Sequence, residues 1–248
     1  LVNLGLNTLL LWILTQWRPK GKFSKSSFHE LFSFGSKLLI SGLINTLYQN
    51  IYLIVIGKFF TASKLGLYTR AQQFSDLPAS NLTGVLQRVT YPILCKIEED
   101  KTKLNLSYRK LLRMSSFIIF PIMIGLSAVS EPLILLLLKE QWLFTATLLQ
   151  IICFASMLTP IHAINLNLLQ VKGRSDLFLR LEIIKKAIGI IILCITIPMG
   201  LIAMCYGQII SSIIALIINT HYTGIIRKYD LIAFLNFSML LVAVKSLI

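Results

Sequence analysis

Two stretches of this chain carry polar side chains at spacings that matter. Between residues 30 and 57, Glu30, Ser33, Lys37, Ser41, Asn45, Tyr48 and Tyr52 recur at steps of three and four, with Gln49 at the edge of the series. On a helix those steps fall on one face. Between residues 67 and 95, Thr69, Gln72, Gln73, Asp76, Ser80, Thr83 and Gln87 form a second stripe. Arg70 and Arg88 border it, eighteen residues and therefore five turns apart. Cations, amides, hydroxyls and a carboxylate on one face can hold water, bind oxyanions and meet hydroxyl-rich ligands. Each charge costs about 2.5–3.5 kcal/mol near a bilayer centre, so such residues turn toward a bundle interior or a wet cavity and mark transport paths. Plainer readings stand beside this one. Lys37 and Arg88 can snorkel to an interface, Arg70 can anchor one, and Asp76 can pair with another helix. The amides and hydroxyls can serve helix–helix contacts.

The elements around these stripes are apolar helices. Of 248 residues, 56% are hydrophobic and 14% charged, with a mean hydropathy of +0.77. The run from Ala187 to Ile226 contains no Lys, Arg, Asp or Glu. It is twice the roughly 20 residues needed to cross a ~30 Å hydrocarbon core, with Pro198-Met199-Gly200 as the turn. Spans are expected at about 1–17, 30–57, 67–95, 108–129, 142–171, 176–197, 200–222 and 231–248. Open sheet edges cannot exist in lipid, so the fold class is all-α, a polytopic transmembrane helix bundle. Residue 1 begins inside an apolar run and 231–248 reads as an interrupted span, so the chain reads as a piece of a longer protein.

The net charge of +14 is distributed as membrane topology, which argues against a nucleic-acid partner. Lys and Arg concentrate in alternate segments, seventeen in 18–27, 96–113, 172–186 and 227–230 against four in 58–70, 130–141 and 198–200. That bias places the loops at 18–27, 96–107, 172–175 and 223–230 in the cytoplasm. The cluster Arg18, Lys20, Lys22 and Lys25 can attract anionic membrane lipids, although topology is its simpler role. The N-x-S/T triplets at Asn81, Asn105 and Asn236 fall in spans or a cytoplasmic loop, which excludes glycosylation as their explanation.

Catalytic signatures are missing. Gly57-Lys58 lacks the glycine spacing and hydroxyl of a phosphate loop. His29, His162 and His221 are far apart and read as interfacial or packed residues. Glu98-Glu99-Asp100 reads as a solvated turn. Cys95, Cys153, Cys194 and Cys205 form no C-x-x-C pair and read as buried free thiols. No metal, no cofactor and no enzyme activity are expected.

The local motifs resemble the bacterial oligosaccharide flippase, or polysaccharide transporter, family of the multidrug/oligosaccharidyl-lipid/polysaccharide exporter superfamily. The segments carrying the resemblance are Gly66-Leu67-Tyr68-Thr69-Arg70-Ala71, Leu77-Pro78, Arg88-Val89-Thr90-Tyr91-Pro92, Glu131-Pro132-Leu133-Ile134 and Trp142. Leu169-Gln170-Val171-Lys172-Gly173-Arg174-Ser175-Asp176 and Leu181-Glu182-Ile183-Ile184-Lys185-Lys186 complete the set. Together they cover about 24–190. Lys139 departs from the pattern, since a glycine is expected there.

The resemblance implies two lobes of about six helices around a central cavity. Residues 1–17 would end the first lobe, 18–27 would form a cytoplasmic basic linker, and 28–248 would form most of the second lobe. It implies movement of a polyprenyl-diphosphate-linked oligosaccharide across the bacterial cytoplasmic membrane, for O-antigen, capsule or exopolysaccharide assembly. Partners would be the lipid-linked oligosaccharide, membrane lipids, a polysaccharide polymerase and glycosyltransferases. On that reading Lys37, Arg70 and Arg88 are candidate diphosphate contacts, because Arg offers planar donors and Lys a point charge. Asn45, Gln49, Gln72 and Gln73 are candidate sugar contacts. Asp76 would balance charge or carry a coupling proton or sodium ion. A cation-coupled small-molecule exporter of the same superfamily and a non-transporting membrane scaffold are the competing readings.

Overall fold

The computed structural model describes residues 5, 6, 10, 14 and 24–225, with only the backbone at Ser27, Glu30, Gln49, Lys101 and 223–225. Most of the expected span 1–17, the cations Arg18, Lys20 and Lys22, the segment 227–230, the span 231–248 and Asn236 lie outside the described residues. Contacts divide the chain into units of residues 1–35 and 36–248. In the first, Phe28 stacks on Phe32 with ring centroids 5.8 Å apart.

All regular structure among the described residues is helical. The helices are α1 (Lys25–Phe59), α2 (Ala62–Lys96), α3 (Lys101–Ala128), α4 (Ser130–Leu138) and α5 (Leu143–Ser156). They continue as α6 (Thr159–Val171), α7 (Ser175–Thr196) and α8 (Leu201–Ile225), with 3₁₀ turns at Glu140–Trp142 and Ile197–Met199. Thr61 caps α2 by accepting the Lys64 N–H at 3.4 Å. Asp100 caps α3, accepting the N–H groups of Thr102 and Lys103 at 3.0 Å each, with the Lys103 ammonium 3.2 Å away. The Lys103 backbone and side-chain hydrogen bonds lead in holding this carboxyl below its ordinary range. The acidic turn thus has one member with a definite task, the helix start.

Among the described residues, four stretches are long and apolar enough to cross a membrane: Leu31–Phe59, Thr102–Ala128, Glu140–Val171 and Leu201–Tyr222. The helices α2 and α7, expected as spans 67–95 and 176–197, are not among them. The polar stripe lowers the hydropathy of α2, and Asp176, Arg180, Glu182, Lys185 and Lys186 interrupt the first half of α7. This corrects the division of the basic residues into loops, because Arg180, Lys185 and Lys186 lie on a helix. The basic segment 96–113 likewise contracts to a short turn, with Lys103, Arg109, Lys110 and Arg113 on the first turns of α3. The expected span 142–171 lies within the single apolar stretch Glu140–Val171, which runs as two helices, α5 and α6, with a turn at Met157–Leu158. Pro160 explains the turn, since it has no N–H for the Ser156 carbonyl.

The core runs through the middle of the second unit. There α2 packs on α3, α5 and α6, and α8 packs on α5, α6 and α7. One cluster gathers Tyr52, Ile56, Tyr68, Ala71, Ile119, Met123, Leu148, Ile152, Leu193 and Met204. A second joins Leu94, Leu104, Tyr108, Ile164 and Leu168 where α2, α3 and α6 meet. Hydrogen bonds clasp α6 on two sides. Tyr108 on α3 donates to Asn165, and Asn167 donates to Thr90 on α2 at 3.2 Å. At its end the Lys172 ammonium donates to the Glu98 carbonyl at 3.2 Å. Gly173 then takes φ +65, and the Gly173 and Arg174 N–H groups reach the carbonyls of Gln170 and Leu169 at 2.9 and 3.0 Å. That is a left-handed helix stop, and it frees the chain to start α7.

Outward faces are greasy on most helices: Leu106, Met114, Phe117 and Ile118 on α3, Ile183, Ile190, Ile191 and Ile195 on α7, and Ile210, Ile213 and Ile217 on α8. Of the cysteines, Cys153 and Cys205 are buried, but Cys95 and Cys194 are exposed. Lipid accepts a thiol as a small hydrophobe, so apolar context alone did not distinguish core from lipid-facing positions.

Lys139, where the family resemblance calls for glycine, has φ +69 and ψ 176. This backbone region is close to glycine-only and costs other residues about 1–3 kcal/mol. Lys139→Gly is therefore expected to raise thermal stability in detergent by about 1 kcal/mol, since glycine's greater unfolded-state freedom offsets part of the relief.

Candidate functional site

Helix α2 differs from its neighbours in what it turns outward. Arg70, Gln73, Asp76, Ser80, Gln87 and Arg88 are exposed, while Thr69, Gln72 and Thr83 are half-buried at the margin. The opposite face, with Tyr68, Ala71, Ser75, Ala79, Thr90 and Leu94, is buried in the core. The helix therefore packs an apolar side inward, and among the described residues nothing covers the polar stripe on its outward side, where Leu77, Val85, Val89 and Ile93 are exposed as well. Several short side chains bond back to their own helix, Thr69 to the Leu65 carbonyl at 2.7 Å and Thr83 to that of Ala79 at 2.6 Å. The longer ones pair along the face. Arg70 donates to Gln73 at 2.9 Å, and Gln72 donates to Asp76 at 2.9 Å.

Helix α1 has the reverse arrangement. Its large exposed side chains are mostly apolar, among them Leu39, Ile40, Leu43, Leu47 and Ile54, although Thr46, Asn50 and Lys58 are exposed as well. Its polar series faces the bundle, with Ser41 and Tyr52 buried and Lys37, Asn45 and Tyr48 half-buried. The Ser41 hydroxyl donates to the Lys37 carbonyl at 2.8 Å. Tyr48 and Tyr52 meet edge to face at 5.7 Å between ring centroids. The eight candidate residues thus divide. Gln72, Gln73, Asp76 and Arg70 share hydrogen bonds on α2, and Arg88 lies further along the same helix. Lys37 and Asn45 lie on α1 with no direct bond to that group, and the side chain of Gln49 lies outside the described residues.

Two groups escaped the sequence reading. The first is Tyr68 with Gln208. The Gln208 amide on α8 donates to the Tyr68 hydroxyl at 2.5 Å, and that hydroxyl donates to Gln72 at 3.3 Å. Tyr68 stands four residues before Gln72, a spacing that carried the signal, but its partner on α8 is far away in the sequence.

The second group is a charge cluster within α7. Lys185 pairs with Glu182, and the Lys186 ammonium lies 3.9 Å from the other Glu182 oxygen. Side-chain exposures are only 7% for Glu182, 9% for Lys185 and 20% for Lys186. Lys186 stands about 16 Å along the axis from the start of α7. Its ammonium lies 4.3 Å from the centre of the Tyr48 ring on α1. Two cations against one carboxylate leave a net positive charge facing inward, and ion pairs internal to one helix hold no other helix in place. The sequence signal was Glu182 three and four residues before the lysines, hidden because the pair was counted with the loop.

The family model described as polysaccharide biosynthesis protein matches residues 1–146. The teichuronic acid biosynthesis protein TuaB of Bacillus subtilis is 31% identical over 171 residues, covering 68% of this chain and 35% of the relative. The lipopolysaccharide biosynthesis protein WzxC of Escherichia coli is 29% identical over 222 residues, covering 89% of this chain and 44% of the relative. The chain spans less than half the length of these relatives. Among solved structures, the lipid II flippase MurJ in an inward closed conformation superposes with a TM-score of 0.68 at 17% identity, over 83% of this chain and 45% of that one. An outward-facing multidrug resistance MATE transporter of the MOP superfamily gives 0.65 at 12% identity, over 84% and 49%. With a helical bundle of this fold, and with more than half its length matched by the family model, the chain belongs to the polysaccharide biosynthesis protein family.

Proposed function

We propose that this chain forms much of the second lobe of a flippase in the bacterial cytoplasmic membrane. The flippase moves a polyprenyl-diphosphate-linked oligosaccharide to the outer leaflet by alternating access. The observation that carries the reading is the polar stripe on the outward side of α2, left uncovered among the described residues. Arg70, Asp76 and Arg88 on a lipid-facing surface would each cost about 2.5–3.5 kcal/mol, whereas a hydrated passage removes that cost. A glycosyl diphosphate needs such a passage, because its head group cannot enter ~30 Å of hydrocarbon. The similarity to relatives named for teichuronic acid and lipopolysaccharide biosynthesis, and the fold shared with a lipid II flippase, support the same substrate class.

On this reading Lys37, Arg70 and Arg88 meet diphosphate oxygens, and the inward charge of Lys186 adds to them. Asn45, Gln49, Gln72 and Gln73 meet sugar hydroxyls, and Asp76 balances charge or carries a coupling cation. The protein performs no covalent chemistry of its own. Glycosyltransferases supply its cargo and a polysaccharide polymerase consumes it. Cations outnumber acids on the candidate surfaces, which favours an anionic cargo over the cationic cargo of a drug exporter.

The test is export of surface polysaccharide with protein abundance measured in parallel. Lys37→Gln, Asp76→Asn and Arg88→Gln are each expected to lower export by about tenfold or more at unchanged abundance. That is the scale of one lost charge-assisted contact. Normal export in all three variants would remove the site.

A further inference from the structure

The polar face of α2 is tied to α8 by a chain of hydrogen bonds with a fixed direction. An ionised Asp76 can only accept, so Gln72 must present its NH₂ to the carboxylate. The Gln72 amide oxygen then faces Tyr68, which spends its single proton there. The Tyr68 oxygen is left to accept from the Gln208 NH₂. The distances along this path are 2.9 Å from Gln72 to Asp76, 3.3 Å from Tyr68 to Gln72 and 2.5 Å from Gln208 to Tyr68. If Asp76 becomes protonated, the whole chain can reverse. The acid O–H donates to the Gln72 oxygen, the Gln72 NH₂ to the Tyr68 oxygen, and the Tyr68 hydroxyl to the Gln208 oxygen. The charge on an exposed carboxylate thereby restricts the orientation of an amide on another helix: ionised Asp76 allows one direction, protonated Asp76 allows both.

The same helix carries a second chain that ends on the break between α5 and α6. The Ser212 hydroxyl donates to the Ala155 carbonyl at 3.2 Å, in the last turn of α5. Its proton is used there, so His162 Nε2–H must donate to the Ser212 oxygen, 3.2 Å away. His162 Nδ1 then accepts from the Asn219 NH₂ at 3.3 Å. A carbonyl can only accept, so the far end of this chain cannot reverse. Gln208, Ser212 and Asn219 are spaced by four and seven residues and share one face of α8. That face thus joins a reversible chain running to Asp76 with an irreversible one anchored at the helix break.

We propose that Tyr68 and Gln208 are positioning residues that couple the charge on Asp76 to helix α8. The proposal rests on the reading of α2 as a wall of the transport path. It assigns to Tyr68 a role that its ring packing does not require. Tyr68→Phe keeps the ring and cuts the chain at its centre.

The experiment uses the full-length protein in cells, reading polysaccharide export and abundance for Tyr68→Phe, Asp76→Asn and the double variant. Tyr68→Phe is expected to lower export by about tenfold at unchanged abundance, the scale of one hydrogen bond supporting a charge. Adding Tyr68→Phe to Asp76→Asn is expected to change export by less than about twofold, because the two act through one path. Full export in Tyr68→Phe, or losses that multiply in the double variant, would overturn the proposal. If Tyr68→Phe lowers abundance, Gln208→Met cuts the same chain one link earlier and is judged by the same two criteria. Normal export in Asp76→Asn would instead remove Asp76 from the transport site, and with it the role of the chain in transport. Loss in Asp76→Asn with full export in Tyr68→Phe would leave the site standing and remove only the coupling.

Discussion

Glu182→Gln is expected to lower the stability of the protein by about 3–5 kcal/mol, enough to deplete it from the membrane. The carboxylate is buried, and both neighbouring cations depend on it. Removing one partner from a buried ion cluster leaves charge without compensation, and that penalty exceeds the net worth of the intact pairs. The comparison that isolates the cause is the triple replacement Glu182→Leu, Lys185→Met, Lys186→Met. It removes all three charges and keeps apolar volume, so abundance and thermal midpoint in detergent should recover to near the parent values. Recovery of abundance without recovery of export would identify the surplus cation as part of the transport path. A Glu182→Gln protein as abundant and heat-stable as the parent would mean that the cluster is solvated and the burial argument wrong.

The second large effect is expected at Gly189. This residue is buried on α7 against the Tyr48 ring. A β-carbon there would stand 2.7 Å from Tyr48 Cζ and 2.9 Å from Cε2, well inside contact distance. The ring is also held by the Lys186 ammonium, so it cannot shift without losing that contact. Gly189→Ala is expected to destabilise by about 1–3 kcal/mol, the usual range for overpacking, despite the better helix propensity of alanine. Combining Gly189→Ala with Tyr48→Leu should return most of the lost thermal stability, because a shorter side chain clears the new methyl group. Additive losses in the pair would show that the contact is not the cause.

The fold class was legible because apolar runs of membrane length admit little besides helices. The two polar stripes were legible because the period of a helix exposes them wherever they interrupt such runs. The boundaries were less legible. Pro160 makes two helices of one apolar stretch, and hydropathy carries no information about a missing N–H. Lys185 and Lys186 illustrate a different failure. Charges near a loop were assigned to the loop, although Glu182 stood at the spacing that allows them to be buried. Tyr68 and Gln208 were hidden for a third reason. Their partnership joins residues 140 positions apart, and no local pattern reports it. Lys139 ran the other way, since the expectation of glycine anticipated the left-handed backbone found there.

The hydrophilic flank of α2 also bears on how the chain is made. A segment of such low hydropathy partitions poorly from the translocon into lipid as a single helix. Its neighbours α1 and α3 supply the greasy surface it lacks, and only Phe60 and Thr61 separate it from α1. During biogenesis α2 would therefore enter the bilayer as one arm of a hairpin, retained by its predecessor until α3 emerges. The feature on which the proposed function rests thus makes integration of the helix a cooperative event.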